Sequence, residues 1–175
     1  MKKNILFFII LVIILLLSST SFTQEIIEDS AILNSLYSEF KYIEYFNFIY
    51  VHTFGSAEEI GLNGDYLTKY AKLRFKNNFA YIDYIEEDIS DNCVLLPEEE
   101  QKKIGRLFIK VWTVGDSYPI AYHVSCKAGS CLDSFWEYSY LGYGSKEYVS
   151  ESVKKRINES IEALATVFFT VRGEL

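Results

Sequence analysis

The sequence contains few of the residues from which recognisable active sites are built. Among 175 residues it has only two histidines, His52 and His123, and three cysteines. No HExxH, Cys-X-X-Cys or Gly-X-Ser-X-Gly pattern occurs, so no motif of a zinc protease, a thiol–disulfide oxidoreductase or a serine hydrolase is present. The sequence therefore predicts no catalytic residues, no cofactor-binding residues and no metal site.

A hydrophobic run long enough to cross a membrane is also missing. The apolar stretch 5–17 would span roughly 20 Å as a helix, whereas the hydrocarbon core of a bilayer is about 30 Å thick. Lys2 and Lys3 precede this stretch and small polar residues follow it from Ser18 to Thr23. This layout predicts a signal peptide over 1–24, with cleavage near 21–24 and no stable membrane span in the mature chain.

Positive charge is scarce. The chain has 17 basic and 24 acidic residues, a net charge of −7, and removing 1–24 takes away two lysines and no acid, which leaves −9. Nucleic acids and anionic membranes are bound by basic surfaces, so neither is an expected partner. Half of the residues are hydrophobic, which excludes a disordered chain, and 25–175 has the length of a single domain.

Three cysteines allow three alternative single disulfides and leave one thiol over. Cys126 and Cys131 flank Lys127–Ser130, a turn-like segment that would bring two strands back antiparallel. We therefore predict a Cys126–Cys131 disulfide that staples a hairpin, and the fate of Cys93 stays open. The alternative, a redox-active pair, lacks the two-residue spacing typical of such sites.

Hydrophobic periodicity predicts elements in the order α-β-α-β-β-β-β-α, with an acidic loop at about 86–105. A stripe of apolar residues spaced by three and four positions predicts one long final helix that lies across the sheet. The predicted fold is α+β, a mainly antiparallel sheet of about five strands with helices packed on one face. The predicted helices cover 29–40, 65–78 and about 145–170, and the predicted strands cover 42–54, 79–85, 106–114, 118–126 and 135–143. The stripe comprises Val149, Val153, Ile157, Ile161, Leu164 and Phe168.

The segment GLNGDYLTKYAKLRFKNNF is followed by a strand, by RLFIKVWTVGDSYPIAYHVSC, by a Trp-containing strand with a Gly-rich end, and by the long helix. This pattern, over about 46–171, resembles a loose group of small exported bacterial proteins of unknown function. The resemblance implies the same order of elements and export from the cell. It implies no activity and no site residues.

The aromatic residues suggest a binding surface. Trp136, Tyr138 and Tyr140 share one face of a predicted strand, and such side chains suit interfaces that need an apolar body with a polar tip. Two interpretations are open: an exposed stripe that binds a protein, peptide or glycan, or core packing beneath the final helix.

Two further groups of polar residues have competing interpretations. His52 and His123 supply two ligands of a metal site without a third, and isolated strand histidines are more often structural. The acidic residues of 86–100 lack the glycine and the alternating ligands of a calcium-binding EF-hand loop, which favours a solvated loop.

These observations favour an exported, periplasmic or extracellular, non-catalytic binding protein of the bacterial envelope or secretome. We expect its partner to be another envelope or host protein. The alternative is a small secreted hydrolase that uses His123 or His52 with acidic residues brought close by folding. The oligomeric state is left open.

Overall fold

A computed structural model describes residues 30–85 and 93–174, so the predicted signal peptide lies outside the described residues. The bounds of its elements agree with the predicted ones to within a few residues at most positions. The helices are α1 (Ser30–Leu36), α2 (Gly64–Asn78), α3 (Glu98–Lys103) and α4 (Lys146–Arg172), and the strands are β1 (Tyr45–Gly55), β2 (Asp83–Tyr84), β3 (Ile104–Val114), β4 (Ile120–Ser130) and β5 (Ser134–Gly144).

The five strands form one sheet in the order β2-β1-β3-β4-β5. β3, β4 and β5 are joined by short turns and pair antiparallel, whereas β1 pairs parallel with both β2 and β3. The predicted α+β class is confirmed, and the sheet is mixed rather than purely antiparallel. The reason is that helical crossovers lie between β1 and its neighbours in the sequence, and a crossover joins parallel strands.

Helix α4 lies across the sheet, as the apolar stripe predicts. All six stripe residues, from Val149 to Phe168, are fully buried. The Ser145 side chain caps its first turn by accepting a hydrogen bond from the Tyr148 N–H, and Gly173 ends it in the left-handed conformation at φ 71°. These caps satisfy backbone groups that the helix itself leaves unpaired.

The core lies between the sheet and the helices α2 and α4. Phe168 of α4 makes ring contacts at centroid distances of 5.4 Å with Phe40 and Phe79 and 5.9 Å with Phe46. The sheet contributes alternate aliphatic residues of β1 and β3, including Ile49, which are buried in the same cluster. One face of the sheet is thus covered by helices.

The predicted Cys126–Cys131 disulfide is wrong. β4 continues through Lys127–Ser130, and the reversal occurs at 131–133, where the Ser130 N–H donates to the Asp133 carbonyl oxygen at 2.9 Å. Cys126 therefore points into the core, where its Sγ lies 2.8 Å from Ser160 Oγ. Cys131 bonds instead to Cys93, with their Cα atoms 6.1 Å apart.

Within residues 30–85 and 93–174, no helix combines the length and the apolar character that a bilayer span requires.

Candidate functional site

The structure places the predicted aromatic stripe on the helix-covered face of the sheet. Trp136 is 5% exposed, and Tyr138 and Tyr140 are half-buried and pack against the core cluster. The Arg156 guanidinium of α4 lies 3.5 Å from the centre of the Tyr140 ring. Packing beneath α4 is therefore the arrangement that the structure shows, and these three residues do not form an exposed binding stripe.

The opposite face of the sheet is covered by none of the described elements. Because side chains alternate along a strand, every second residue of β1, β3, β4 and β5 points away from the helices. We call these residues the open face. They are Phe48, Tyr50, His52 and Phe54 in β1; Arg106, Phe108, Lys110, Trp112 and Val114 in β3; Ala121, His123, Ser125, Lys127 and Gly129 in β4; and Glu137, Ser139, Leu141 and Tyr143 in β5.

One end of the open face is apolar. Strand pairing aligns Phe54 with Trp112, and Trp112 with Leu141 across β4. Trp112 is 57% exposed and Leu141 is 73% exposed, and Val114 and Tyr143 lie exposed in the next row. We call these five residues the apolar end. Large apolar side chains that lie side by side in solvent are typical of an interaction surface rather than of a monomer's ordinary exterior.

The other end of the open face carries cations on aromatic rings. The Arg106 guanidinium lies 4.7 Å from the centre of the Phe48 ring, and Lys110 Nζ lies 5.4 Å from that of Phe108. Such contacts orient a cation without neutralising it. We call these four residues, together with Lys127, the cationic end.

The open face is positively charged although the chain is acidic. Its three cations face one carboxylate, that of Glu137, so its net charge is +2 with neutral histidines, against −7 for the chain. Glu137 already bonds Lys127 Nζ at 3.2 Å and accepts a hydrogen bond from Ser125 Oγ at 3.2 Å. Among the described residues, no carboxylate pairs with Arg106 or Lys110.

A groove of about 390 Å³ lies beside the cationic end. Phe48, Arg106 and Phe108 line one side, and the β4–β5 turn at 131–134 lines the other. This turn includes Asp133, whose carboxylate accepts a hydrogen bond from the Ser134 N–H at 2.7 Å. Gly129 lies directly opposite Arg106, and a Cβ there would overlap the Asp133 carbonyl oxygen. A glycine is thus needed where the turn folds back, and its missing side chain leaves the groove open beside the guanidinium.

The wall of the groove is fixed from behind. The Cys93–Cys131 disulfide ties the turn to the segment before α3, and the Cys131 N–H donates to the Gln101 carbonyl oxygen at 3.3 Å. Gln101 is buried, and its Nε2 donates to the Leu96 carbonyl oxygen at 2.6 Å. The groove is therefore preformed rather than shaped by a partner.

The two histidines both belong to the open face but lie apart. His123 Nε2 is 2.8 Å from Ser139 Oγ, whereas the His52 ring packs on Phe54 with centroids 4.0 Å apart. His52 is in β1 and His123 in β4, with β3 between them, so they do not form half of a common metal site. Within the described residues, no group of three or more His, Cys, Asp or Glu side chains could hold a metal ion.

Part of the acidic segment is an ordinary solvated helix. Glu98, Glu99 and Glu100 form the first turn of α3, where carboxylates suit the helix dipole. Glu98 pairs with Lys102 at 3.0 Å, and this hydrogen bond raises the pKa of the Lys102 ammonium. The remaining acids of the predicted loop, at 86–92, lie outside the described residues.

The sequence of β3 contains a pattern that predicts the open face. In this strand the buried aliphatic residues Leu107, Ile109 and Val111 alternate with aromatic or cationic ones. The latter are Arg106, Phe108, Lys110 and Trp112. Aliphatic side chains on one face and aromatic or cationic ones on the other predict which face meets the helices. In β5 the same rule assigns Trp136, Tyr138 and Tyr140 to the covered face, because Glu137 and Ser139 alternate with them.

No family model matches this sequence, and no curated protein matches it. Among solved structures, the fold is similar to that of a PelC dodecamer from Paraburkholderia phytofirmans. The TM-score is 0.47 and the sequence identity is 10%, over 70% of this chain and 90% of that chain. A similarity at this level carries no conclusion about function.

Proposed function

We propose that this protein is an exported, non-catalytic binding protein whose open face binds another protein. The observation that carries the proposal is the row of exposed apolar side chains Phe54, Trp112 and Leu141, which runs from β1 to β5 with His123 of β4 between Trp112 and Leu141. Burying such a row against a partner removes apolar surface from water, which is the main driving force of protein association.

The composition of the open face agrees with this proposal. Trp, Tyr and Arg supply most of the binding energy at protein interfaces, and Trp112, Tyr143 and Arg106 all lie on this face. Most of its polar residues, among them Lys127 and Glu137, lie beside the apolar end, and His123 lies within it, between Trp112 and Leu141. An apolar centre with polar surroundings is the usual anatomy of an interface.

Two features support export. The sequence of 1–24 has the layout of a signal peptide, and the mature chain contains the Cys93–Cys131 disulfide. Disulfides form and persist mainly in oxidising compartments such as the periplasm and the extracellular medium. A partner in the same compartment, an envelope or host protein, follows from this localisation.

Site-specific photo-crosslinking in the producing cell tests the proposal. The photoreactive residue p-benzoyl-phenylalanine replaces Trp112, or as a matched control Leu73 of α2, which is also 57% exposed but lies outside the open face. We expect a discrete crosslinked product from position 112 and none from position 73. A second labelling position on the open face is Leu141. Equal crosslinking at positions 112 and 73, or no crosslinking at either 112 or 141, would contradict binding through this face.

A second candidate function is the small secreted hydrolase, and the contact of 2.8 Å between His123 Nε2 and Ser139 Oγ favours it. A base in contact with a hydroxyl is the core of a nucleophilic site. The pair lies on the flat part of the open face, and among the described residues no carboxylate orients the ring. Labelling of the mature protein by a fluorophosphonate probe, abolished in Ser139→Ala, would establish this function; no labelling would exclude a nucleophilic Ser139.

A further inference from the structure

The cationic end of the open face holds two cations, Arg106 and Lys110, that form no ion pair with the described residues, although Asp133 also lines the groove. Arg106 and Lys110 each lie on an aromatic ring, and neither has a carboxylate partner. The third cation, Lys127, is paired with Glu137 at 3.2 Å. A ligand that supplies a negative charge at Arg106 would therefore form an ion pair that the described residues do not provide.

The groove beside Arg106 is large enough to receive a charged side chain. Its volume of about 390 Å³ lies within the range of small-ligand sites, but it opens onto the sheet surface. Arg106 supplies a planar guanidinium, whose paired N–H groups match the two oxygens of a carboxylate. The turn at 131–134 and the Cys93–Cys131 disulfide hold the far wall in place.

We propose that this groove binds an Asp or Glu side chain of the same protein partner whose apolar residues cover the apolar end. This inference rests on the proposed function and adds the chemistry of the partner. The apolar end and the cationic end share one continuous surface, so one partner meets both. An acidic polysaccharide would satisfy the cations and could stack a sugar ring on Trp112, but it has no apolar side chains to cover Leu141 and Val114.

The geometry also sets the spacing within the partner. Arg106 and Trp112 are six residues apart in β3, and a strand rises about 3.4 Å per residue, so the two ends are separated by roughly 20 Å. An extended partner segment covers this distance with about six residues, and a helix covers it with about 13. The partner segment should therefore carry an acidic residue at one of these two spacings from an apolar cluster.

Peptide selection tests this inference without knowledge of the natural partner. A phage-displayed library of random 16-residue peptides is selected on the immobilised mature chain, 25–175. The selected peptides, synthesised with a fluorescent label, are the probes for anisotropy titrations. We expect them to contain Asp or Glu about six or 13 residues from a group of apolar residues, and we expect their affinity to fall severalfold as NaCl is raised from about 50 to 500 mM.

Variants separate the two ends. We expect Arg106→Gln/Lys110→Gln to weaken binding by about tenfold or more and to remove most of the salt dependence, because an Arg–carboxylate pair is lost. Trp112→Ala should also weaken binding. The control Lys69→Gln/Lys76→Gln makes the same change in net charge on exposed positions of α2 and should leave affinity unchanged. Lys110→Gln alone gives a milder version of the test, and circular dichroism verifies that each variant is folded.

Three outcomes would overturn the inference, and they are distinguishable. Peptides that need Trp112 but lack acids and tolerate Arg106→Gln/Lys110→Gln would leave the proposed function standing and remove the carboxylate site. Binding of polygalacturonate that needs Arg106 but tolerates Trp112→Ala would assign the groove to an acidic polysaccharide. Selected peptides insensitive to both substitutions would count against the open face as a whole.

Discussion

The two faces of the sheet are built from the same strands but from different kinds of residue. On the covered face, Ile49, Val51 and Ile109 are at most 2% exposed and pack beneath the helices. On the open face, their immediate neighbours in the sequence include Tyr50 and Lys110, which meet solvent. Alternation along one strand thus places aliphatic residues in the core and leaves aromatic and cationic residues exposed to solvent. The covered face explains why the chain folds, whereas the open face needs a second explanation.

The largest expected effect is on the covered face. Phe168→Ala removes a fully buried ring that contacts Phe40, Phe46 and Phe79, so we expect the free energy of unfolding to fall by about 3–5 kcal/mol. Chemical denaturation of the mature chain measures it. A loss below about 1 kcal/mol would mean that α4 is not held by this cluster.

The wall of the groove is held by a disulfide, and removing this bond should cause the next largest loss in the free energy of unfolding. Cys93 and Cys131 are separated by 38 residues, and releasing a loop of that size costs about 2–4 kcal/mol through the entropy of the unfolded chain. The double variant Cys93→Ser/Cys131→Ser measures this loss by denaturation, with chemically reduced wild type as control. A non-reduced peptide map that joins Cys126 to Cys131 would contradict the pairing.

A pH titration of stability tests the burial of Cys126 in β4. Burial raises the pKa of the Cys126 thiol to about 12, whereas an exposed thiol has a pKa of about 8.5. The folded chain keeps this proton over a range in which the unfolded chain releases it. The contribution to stability is therefore complete below pH ~8.5 and is lost toward pH 12, by about 1.4 kcal/mol per pH unit.

The control for this titration is Cys126→Ala, because lysines and tyrosines titrate in the same range. The difference in free energy of unfolding between wild type and variant should shrink as the pH rises. A constant difference would mean that the thiol is not buried as the structure has it.

The smallest expected effect is on the open face. Trp112 is a large residue, but it is 57% exposed, so Trp112→Ala should change the free energy of unfolding by less than about 1 kcal/mol. Chemical denaturation, as for Phe168→Ala, measures this change in the free energy of unfolding. A loss of several kcal/mol would make the open face part of the folding core and would remove the main argument for a binding role.

The sequence predicted the elements well where a single period dominates. The spacing from Val149 to Phe168 identified α4 and its buried side, because only one helical face is apolar. Strand order and direction could not be predicted in the same way, because the pairing of β1 with β2 and β3 depends on long crossovers rather than on local turns. The hairpin turn was placed too early, since Lys127–Ser130 is turn-like in composition but lies within β4.

The candidate site was predicted only in kind. An aromatic sheet face was expected, but Trp136, Tyr138 and Tyr140 were considered for it, and the structure places them beneath α4. The open face of β5 carries Glu137 and Ser139 and a single aromatic residue, Tyr143, so the alternation along this strand favours the core-packing interpretation of the three rings. The groove beside Arg106 was not predictable, because it requires the β4–β5 turn to fold toward a strand with which β5 does not pair.

The burial of Cys126 also bears on how the chain reaches the correct covalent form. Cys126 and Cys131 are close in sequence, so an unfolded chain would join them more readily than it would join Cys93 to Cys131. Once β4 has packed, Cys126 is inaccessible and its thiolate is suppressed, which removes it from exchange. We therefore expect the packing of β4 to disfavour pairing of Cys126 and to leave Cys93 and Cys131 as the pair available for oxidation.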